Sequence, residues 1–165
     1  MEDLTKHNGF WKVSSQYLRS FSLFHGLDDH GFDLIINCTR GIYYPPEKIV
    51  VQVGDPGSYM FLIYRGTCNV EIDQVGKHIV VRQLKDGDFF GEGALYGEKR
   101  DARIRTKTQS HLIVLSAMKI DELFSNNPDL KGNFYANLAF EERKRVRRGN
   151  EIIADLTRRL RADPQ

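Results

Sequence analysis

The sequence predicts an α+β chain: an antiparallel β-roll, jelly-roll-like, with one short internal helix, flanked by helices on both sides. Three observations predict it. Apolar residues between positions 41 and 116 recur with period two in short runs, and Gly- or Pro-rich turns separate the runs. Outside those limits the apolar spacing changes to steps of three and four. Between the strand-like runs lies Phe89 to Ala102, FFGEGALYGEKRDA, whose glycines bracket the short apolar piece Ala94-Leu95. The expected division is 1–40 as an N-terminal helical segment, 41–116 as the roll and 117–165 as C-terminal helices.

In the first segment Phe10, Val13, Tyr17, Phe21 and Phe24 follow helical spacing, with Gly26 as a stop. A second helix is expected through Leu34, Ile35 and Ile36, with Asp28 or Asp29 as its cap. Ile42 and Tyr44 open the first strand of the roll, and Pro45-Pro46 ends it because proline cannot donate to a ladder. Ile49 to Val53 is the next, closed by the turn tetrad Gly54-Asp55-Pro56-Gly57. Tyr59 to Tyr64, then Cys68, Val70 and Ile72, then His78 to Leu84 continue the alternation. Arg103 to Arg105 and His111 to Leu115 complete the roll. Short strands at near-regular spacing with Gly-rich turns read as an antiparallel roll or jelly roll. Ser116 caps a helix through Ile120, Leu123 and Phe124, which Asn126-Asn127-Pro128 ends. A longer helix uses Leu130, Phe134, Leu138 and Val146 as its spine, with an interruption expected at Gly149-Asn150. Ile152, Ile153, Leu156 and Leu160 then form a further amphipathic segment.

Composition bounds the function. At 165 residues and 41% hydrophobic the chain can bury a real core. A net charge of +2 gives no global field for nucleic acid. No apolar run approaches the roughly 20 residues of a membrane span, and Met1-Glu2-Asp3 lacks the form of a signal peptide. The cysteines Cys38 and Cys68 read as buried thiols. His7, His25, His30, His78 and His111 are scattered without metal-ligand spacing, and no cofactor is expected.

The chemistry concentrates in the glycine-framed stretch. Arg100 offers a guanidinium fork suited to a phosphate, and amides at a helix start would add donors. Glu92 accepts only, so it would take hydrogen bonds from hydroxyls beside that phosphate. On residue type alone, Arg100 reads as a solvated strand-start residue and Glu92 as a helix cap.

At these residues the chain resembles the phosphate-binding cassette of cyclic nucleotide-binding domains, of the pattern F-G-E-x-A-L followed by R-x-A. It stands here as Phe90-Gly91-Glu92-Gly93-Ala94-Leu95 and Arg100-Asp101-Ala102. The resemblance covers most of residues 18 to 140 and implies cAMP or cGMP as ligand, with cAMP favoured. It assigns Arg100 to the phosphate and Glu92 to the ribose 2′-hydroxyl. Gly91, Ala94 and Ala102 would allow close approach, with backbone N–H groups as donors. The interval from Glu92 to Arg100 is one residue shorter than in many relatives, and Asp101 replaces a small or hydroxyl residue. Asp101 would either accept from a base amino group or pair with Arg103 or Lys99. Val80 or Val81 would supply an apolar shelf for the base. The helix after Pro128 would be the lid, presenting one of Glu141, Glu142 and Arg143, with Arg143 the expected contact. The run Arg143-Lys144-Arg145 with Arg147-Arg148 would be either a solvated face or a surface for acidic headgroups or an acidic partner.

The resemblance further implies a regulatory module rather than an enzyme. Its expected parent is a membrane transport protein of the cyclic nucleotide-gated or hyperpolarisation-activated channel class, or a sperm-type sodium–proton exchanger. The module would be a cytoplasmic domain of that membrane protein, would oligomerise through it, and would not touch nucleic acid. A kinase regulatory subunit would more often carry two such modules. A bacterial-type transcription regulator would need a helix-turn-helix, for which the residues after Gly149 are too few. A relative that has lost its ligand is the remaining alternative, and the intact Glu92 and Arg100 argue against it.

Overall fold

The computed structural model describes residues 9–162. Among the described residues nine strands form two antiparallel sheets. The first sheet runs β1 (Phe10–Trp11), β2 (Thr39–Tyr44), β9 (Ser110–Ser116), β4 (Tyr59–Arg65), β7 (Phe89–Phe90). The second runs β3 (Ile49–Val51), β8 (Arg103–Thr106), β5 (Cys68–Gln74), β6 (Lys77–Leu84). The helices are α1 (Ser15–Leu18), α2 (Asp29–Ile36), α3 (Ala117–Asn126) and α4 (Pro128–Ala162), with a 3-10 turn at Ser22–Phe24.

Two cores share the central strands. Side chains alternate across a strand, so Phe61 and Ile63 of β4 enter the roll while Met60 and Leu62 face the helices. Likewise Leu112 and Val114 of β9 point in, and Ile113 and Leu115 point out. Burial on both faces explains why YMFLI and LIVL read as unbroken apolar runs. The outer core adds Phe21, Phe24, Phe32, Phe124 and Phe134 from the helical segments. Phe89 joins this outer core while its neighbour Phe90 joins the inner one, stacked on Phe61 with centroids 4.9 Å apart.

The caps form as the sequence implies. Asp28 accepts from the Gly31 amide at 2.8 Å, and Ser116 from Lys119 at 3.4 Å. Two expectations need correction. Residues 10–24 are not one helix: Phe10 and Trp11 pair with Ile42 and Gly41, leaving only short helical turns behind them. Gly41 lets that strand lie close, because a Cβ there would fall 2.6 Å from the Trp11 carbonyl oxygen. Gly149-Asn150 does not interrupt the last helix, which runs unbroken for 35 residues. A lone helical glycine costs about 1 kcal/mol, too little to break a helix with good formers on both sides.

Candidate functional site

A cavity of about 320 Å³ opens at the mouth of the roll, between the two sheets and α4. Val51, Val70, Leu84 and Ile104 form its apolar wall, one each from β3, β5, β6 and β8. The stretch from Phe89 to Ala102 forms the opposite, polar side.

Local geometry places that polar side. Gly91 adopts φ 79°, and a Cβ there would fall 2.6 Å from Arg100 Nη1 and 3.1 Å from the Tyr59 carbonyl oxygen. Only glycine meets both demands. The turn starts a 3-10 helix, Glu92–Tyr96, which Gly97 ends at φ 72°. The tetrad after β3 holds the far end: Arg100 donates its amide to the Asp55 carbonyl at 2.9 Å and accepts from the Gly54 amide at 2.8 Å. Gly57 donates to the Glu98 carbonyl at 3.2 Å.

Arg100 is 6% exposed. Its Nη2 donates to the Tyr59 carbonyl at 2.6 Å and its Nη1 to the Gly91 carbonyl at 3.1 Å. Those contacts fix the plane of the fork at the cavity wall. Glu92 stands across the cavity mouth and accepts from Arg145 of α4 at 2.9 Å. Arg145 also donates to Glu142 at 2.7 Å and to the Phe89 carbonyl, and its guanidinium lies 3.9 Å from the Phe89 ring centroid. Burial pushes the Glu142 carboxyl up, opposed by the Arg145 charge. Burial lowers the Arg82 guanidinium, and the like charges of Arg145 and Arg148 lower it further.

The cavity brings together Phe90, Gly91, Glu92, Gly93, Ala94, Arg100, Asp101 and Ala102 from the sequence-derived set. It does not include Leu95, Val81 or Arg143. Leu95 packs against the outer core. Val81 is exposed on the outside of the sheet because of a bulge: Val70 pairs with Arg82 and Glu71 with Val80, leaving Val81 as the extra residue. Val80 is exposed too, so the wall residues of β6 are Arg82 and Leu84. Arg143 points to solvent, whereas Leu138, Glu142 and Arg145 share the inward face at steps of four and three. That phase, counted from Phe134 and Leu138, was the available signal for Arg145. The 3-10 helix has only five residues, and the Ala94 amide donates to the Gly91 carbonyl at 3.1 Å. In this conformation Ala94 contributes small size rather than a donor. Asp101 is exposed and makes no ion pair with Arg103, which binds the buried Glu71 at 2.6 Å.

A roll whose mouth joins a buried Arg, a carboxylate and a glycine-framed turn defines a binding module for a small anionic ligand. Residues 42–127 match the family described as the cyclic nucleotide-binding domain, and the chain belongs to it. Among curated proteins it is similar to the cAMP-activated global transcriptional regulator CRP of Pasteurella multocida. That relative is 29% identical over 121 residues, 71% of this chain and 58% of the relative. The chain therefore spans little more than half the length of that regulator. Among solved structures, a cyclic nucleotide-binding domain from Methylobacillus flagellatus superposes with a TM-score of 0.80 over 89% of this chain and 88% of its own, at 20% identity. The catabolite activator protein of Thermus thermophilus follows with 0.68 over 82% and 63%, at 25% identity.

These relatives overturn the expected parent. The curated relative is named a transcriptional regulator rather than a channel or exchanger, and among the described residues no helix is long and apolar enough to cross a membrane. The placement as a cytoplasmic domain of a membrane protein falls with that parent, as does oligomerisation through it. The exclusion of nucleic acid as a partner does not stand beside relatives of this kind.

Proposed function

We propose that the chain is a regulatory module that captures a cyclic nucleotide, with cAMP as the ligand, and relays its occupancy through α4. One observation carries the reading: Arg100 and Glu92 line the same cavity, a buried fork and an acceptor on a glycine-shaped turn. Arg100 would pair with the cyclic phosphate, Glu92 with the ribose 2′-hydroxyl, and Val51, Val70, Leu84 and Ile104 would cover the apolar parts. Occupancy shifts α4 only by the difference in affinity between its two positions. The name of the curated relative supports both cAMP as ligand and transcription as the regulated output.

Arg82 favours a second reading of the base. It lines the cavity, where burial and then the like charges of Arg145 and Arg148 lower the pKa of its guanidinium. A guanidinium in that position suits the paired acceptors O6 and N7 of guanine. Calorimetric titration with cAMP and cGMP side by side tests both readings. Tighter binding of cAMP is expected; preference for cGMP that disappears in Arg82→Ala would replace it. No heat and no thermal shift with either nucleotide would overturn the binding function itself.

A further inference from the structure

The cavity mixes its charges. Arg82, Lys99, Arg100 and Arg145 line it together with three carboxylates, Glu92, Glu98 and Asp101, a formal excess of one positive charge. The proposed function gives Glu92 to the sugar and leaves the other two carboxylates without a part. Both belong to the end that holds Arg100. Asp101 follows Arg100 in the chain, and the neighbouring Arg103 is engaged by the buried Glu71 instead. Glu98 leans on the glycine-framed turn: a Cβ at Gly93 would lie 2.9 Å from Glu98 Oε2, and the Glu98 amide donates to the Gly93 carbonyl at 3.0 Å. The donors at this end are largely engaged. Arg100 bonds the Tyr59 and Gly91 carbonyls, and the Ala94 amide donates to Gly91 at 3.1 Å.

We propose that Glu98 and Asp101 are specificity-determining residues that set the charge of the anion the site accepts, admitting a singly charged phosphodiester and rejecting a doubly charged phosphomonoester. The inference rests on the cyclic nucleotide reading and adds to it a filter on charge, separate from any fit to the ring. Attraction to the site grows in proportion to the charge of the ligand, whereas the cost of taking that charge out of water grows with its square. The Arg100 fork answers one phosphodiester charge. A second charge on the same phosphate meets Glu98 and Asp101. Lys99, between them in the chain, offsets one of these carboxylates and leaves the other. Both carboxylates are exposed, so solvent screens them and each acts by a few-fold rather than by orders of magnitude.

The test is calorimetric titration of the full chain with three adenine ligands: cAMP, 5′-AMP and the 5′-methyl ester of AMP. The ester is open-chained yet carries one charge, like cAMP; 5′-AMP carries two at about pH 8, because its second pKa is about 6. Comparing ester with 5′-AMP therefore isolates charge from ring closure. Wild type is expected to prefer the ester by about tenfold or more. Glu98→Gln and Asp101→Asn keep the shape of each side chain and remove its charge. Coulomb energy is proportional to ligand charge, so each variant should tighten cAMP and the ester by about threefold and 5′-AMP by the square of that, roughly tenfold. The ratio of ester to 5′-AMP affinity is taken within each variant, so a general loss of stability cancels. Equal gains for all three ligands would make the carboxylates a plug that any ligand must displace, and would overturn the proposal. No gain for any ligand would show that they never meet the phosphate, and would overturn it as well. Wild type that binds none of the three would sink the nucleotide reading itself, a result distinct from the others.

Discussion

Arg100 does two jobs with one side chain, and its substitution separates them. The guanidinium bonds the Tyr59 and Gly91 carbonyls while lining the cavity. Arg100→Ala should weaken nucleotide binding by about 2–4 kcal/mol, roughly 30- to 1,000-fold, through loss of a shielded charge-assisted contact. Calorimetry reads this directly, and wild-type affinity in the variant would refute the phosphate role. Gly91→Ala should weaken binding too, but for a different reason. It combines a left-handed φ with a Cβ 2.6 Å from the guanidinium, so Arg100 must move. These residues were legible in the sequence because their chemistry is packed into one short stretch, where spacing nearly determines geometry. Val81 and Arg143 were misplaced because their orientation depends on distant partners. A bulge against Glu71 turned Val81 out, and the phase set by packing of Phe134 and Leu138 gave the inward position to Arg145. Arg82 escaped notice for the same reason as Val81.

At the scale of elements, α4 is two helices in one. Its first half buries Leu130, Phe134 and Leu138 in the outer core, and Asn137 donates to the carbonyls of Leu23 and His25 at 3.1 and 2.8 Å. Phe134→Ala should destabilise the domain by about 3–5 kcal/mol, the usual loss for a buried phenylalanine, measured by urea unfolding. Its second half presents Val146, Ile153, Leu156 and Leu160 to solvent. There Gly149 has open space around its Cβ position, so Gly149→Ala should raise helicity and stabilise the helix by about 0.8–1 kcal/mol. Circular dichroism checks it, and lower helicity would show that Gly149 serves as a hinge. The strands were the most readable elements, since alternation is local and each sits between Gly or Pro turns. The N-terminal segment was the least readable. Phe10 and Trp11 fit a helical stripe by spacing, yet their partner is β2, thirty residues away, and tertiary pairing overrode the local period.

The whole molecule behaves as one unit because its two cores cannot be separated. β4 and β9 each contribute side chains to both, so opening the roll strips the helices of their floor, and loss of the helices exposes Met60, Leu62, Ile113 and Leu115. Unfolding should therefore be a single cooperative transition. The cavity lies where these parts converge, walled by strands β3, β5, β6 and β8 and touched by Arg145 of α4. A ligand that binds there binds the folded state alone, and its whole affinity appears as stability. At a free concentration one hundred times the dissociation constant, the gain is about 2.7 kcal/mol. For a chain of this size each kcal/mol raises the midpoint by roughly 2–4 °C, so saturating cAMP should raise Tm by roughly 5–10 °C in one step. Arg100→Ala should remove most of that shift while leaving a cooperative transition. A shift confined to a late second transition would place the ligand on one part alone, and would contradict a site built from both layers of the fold.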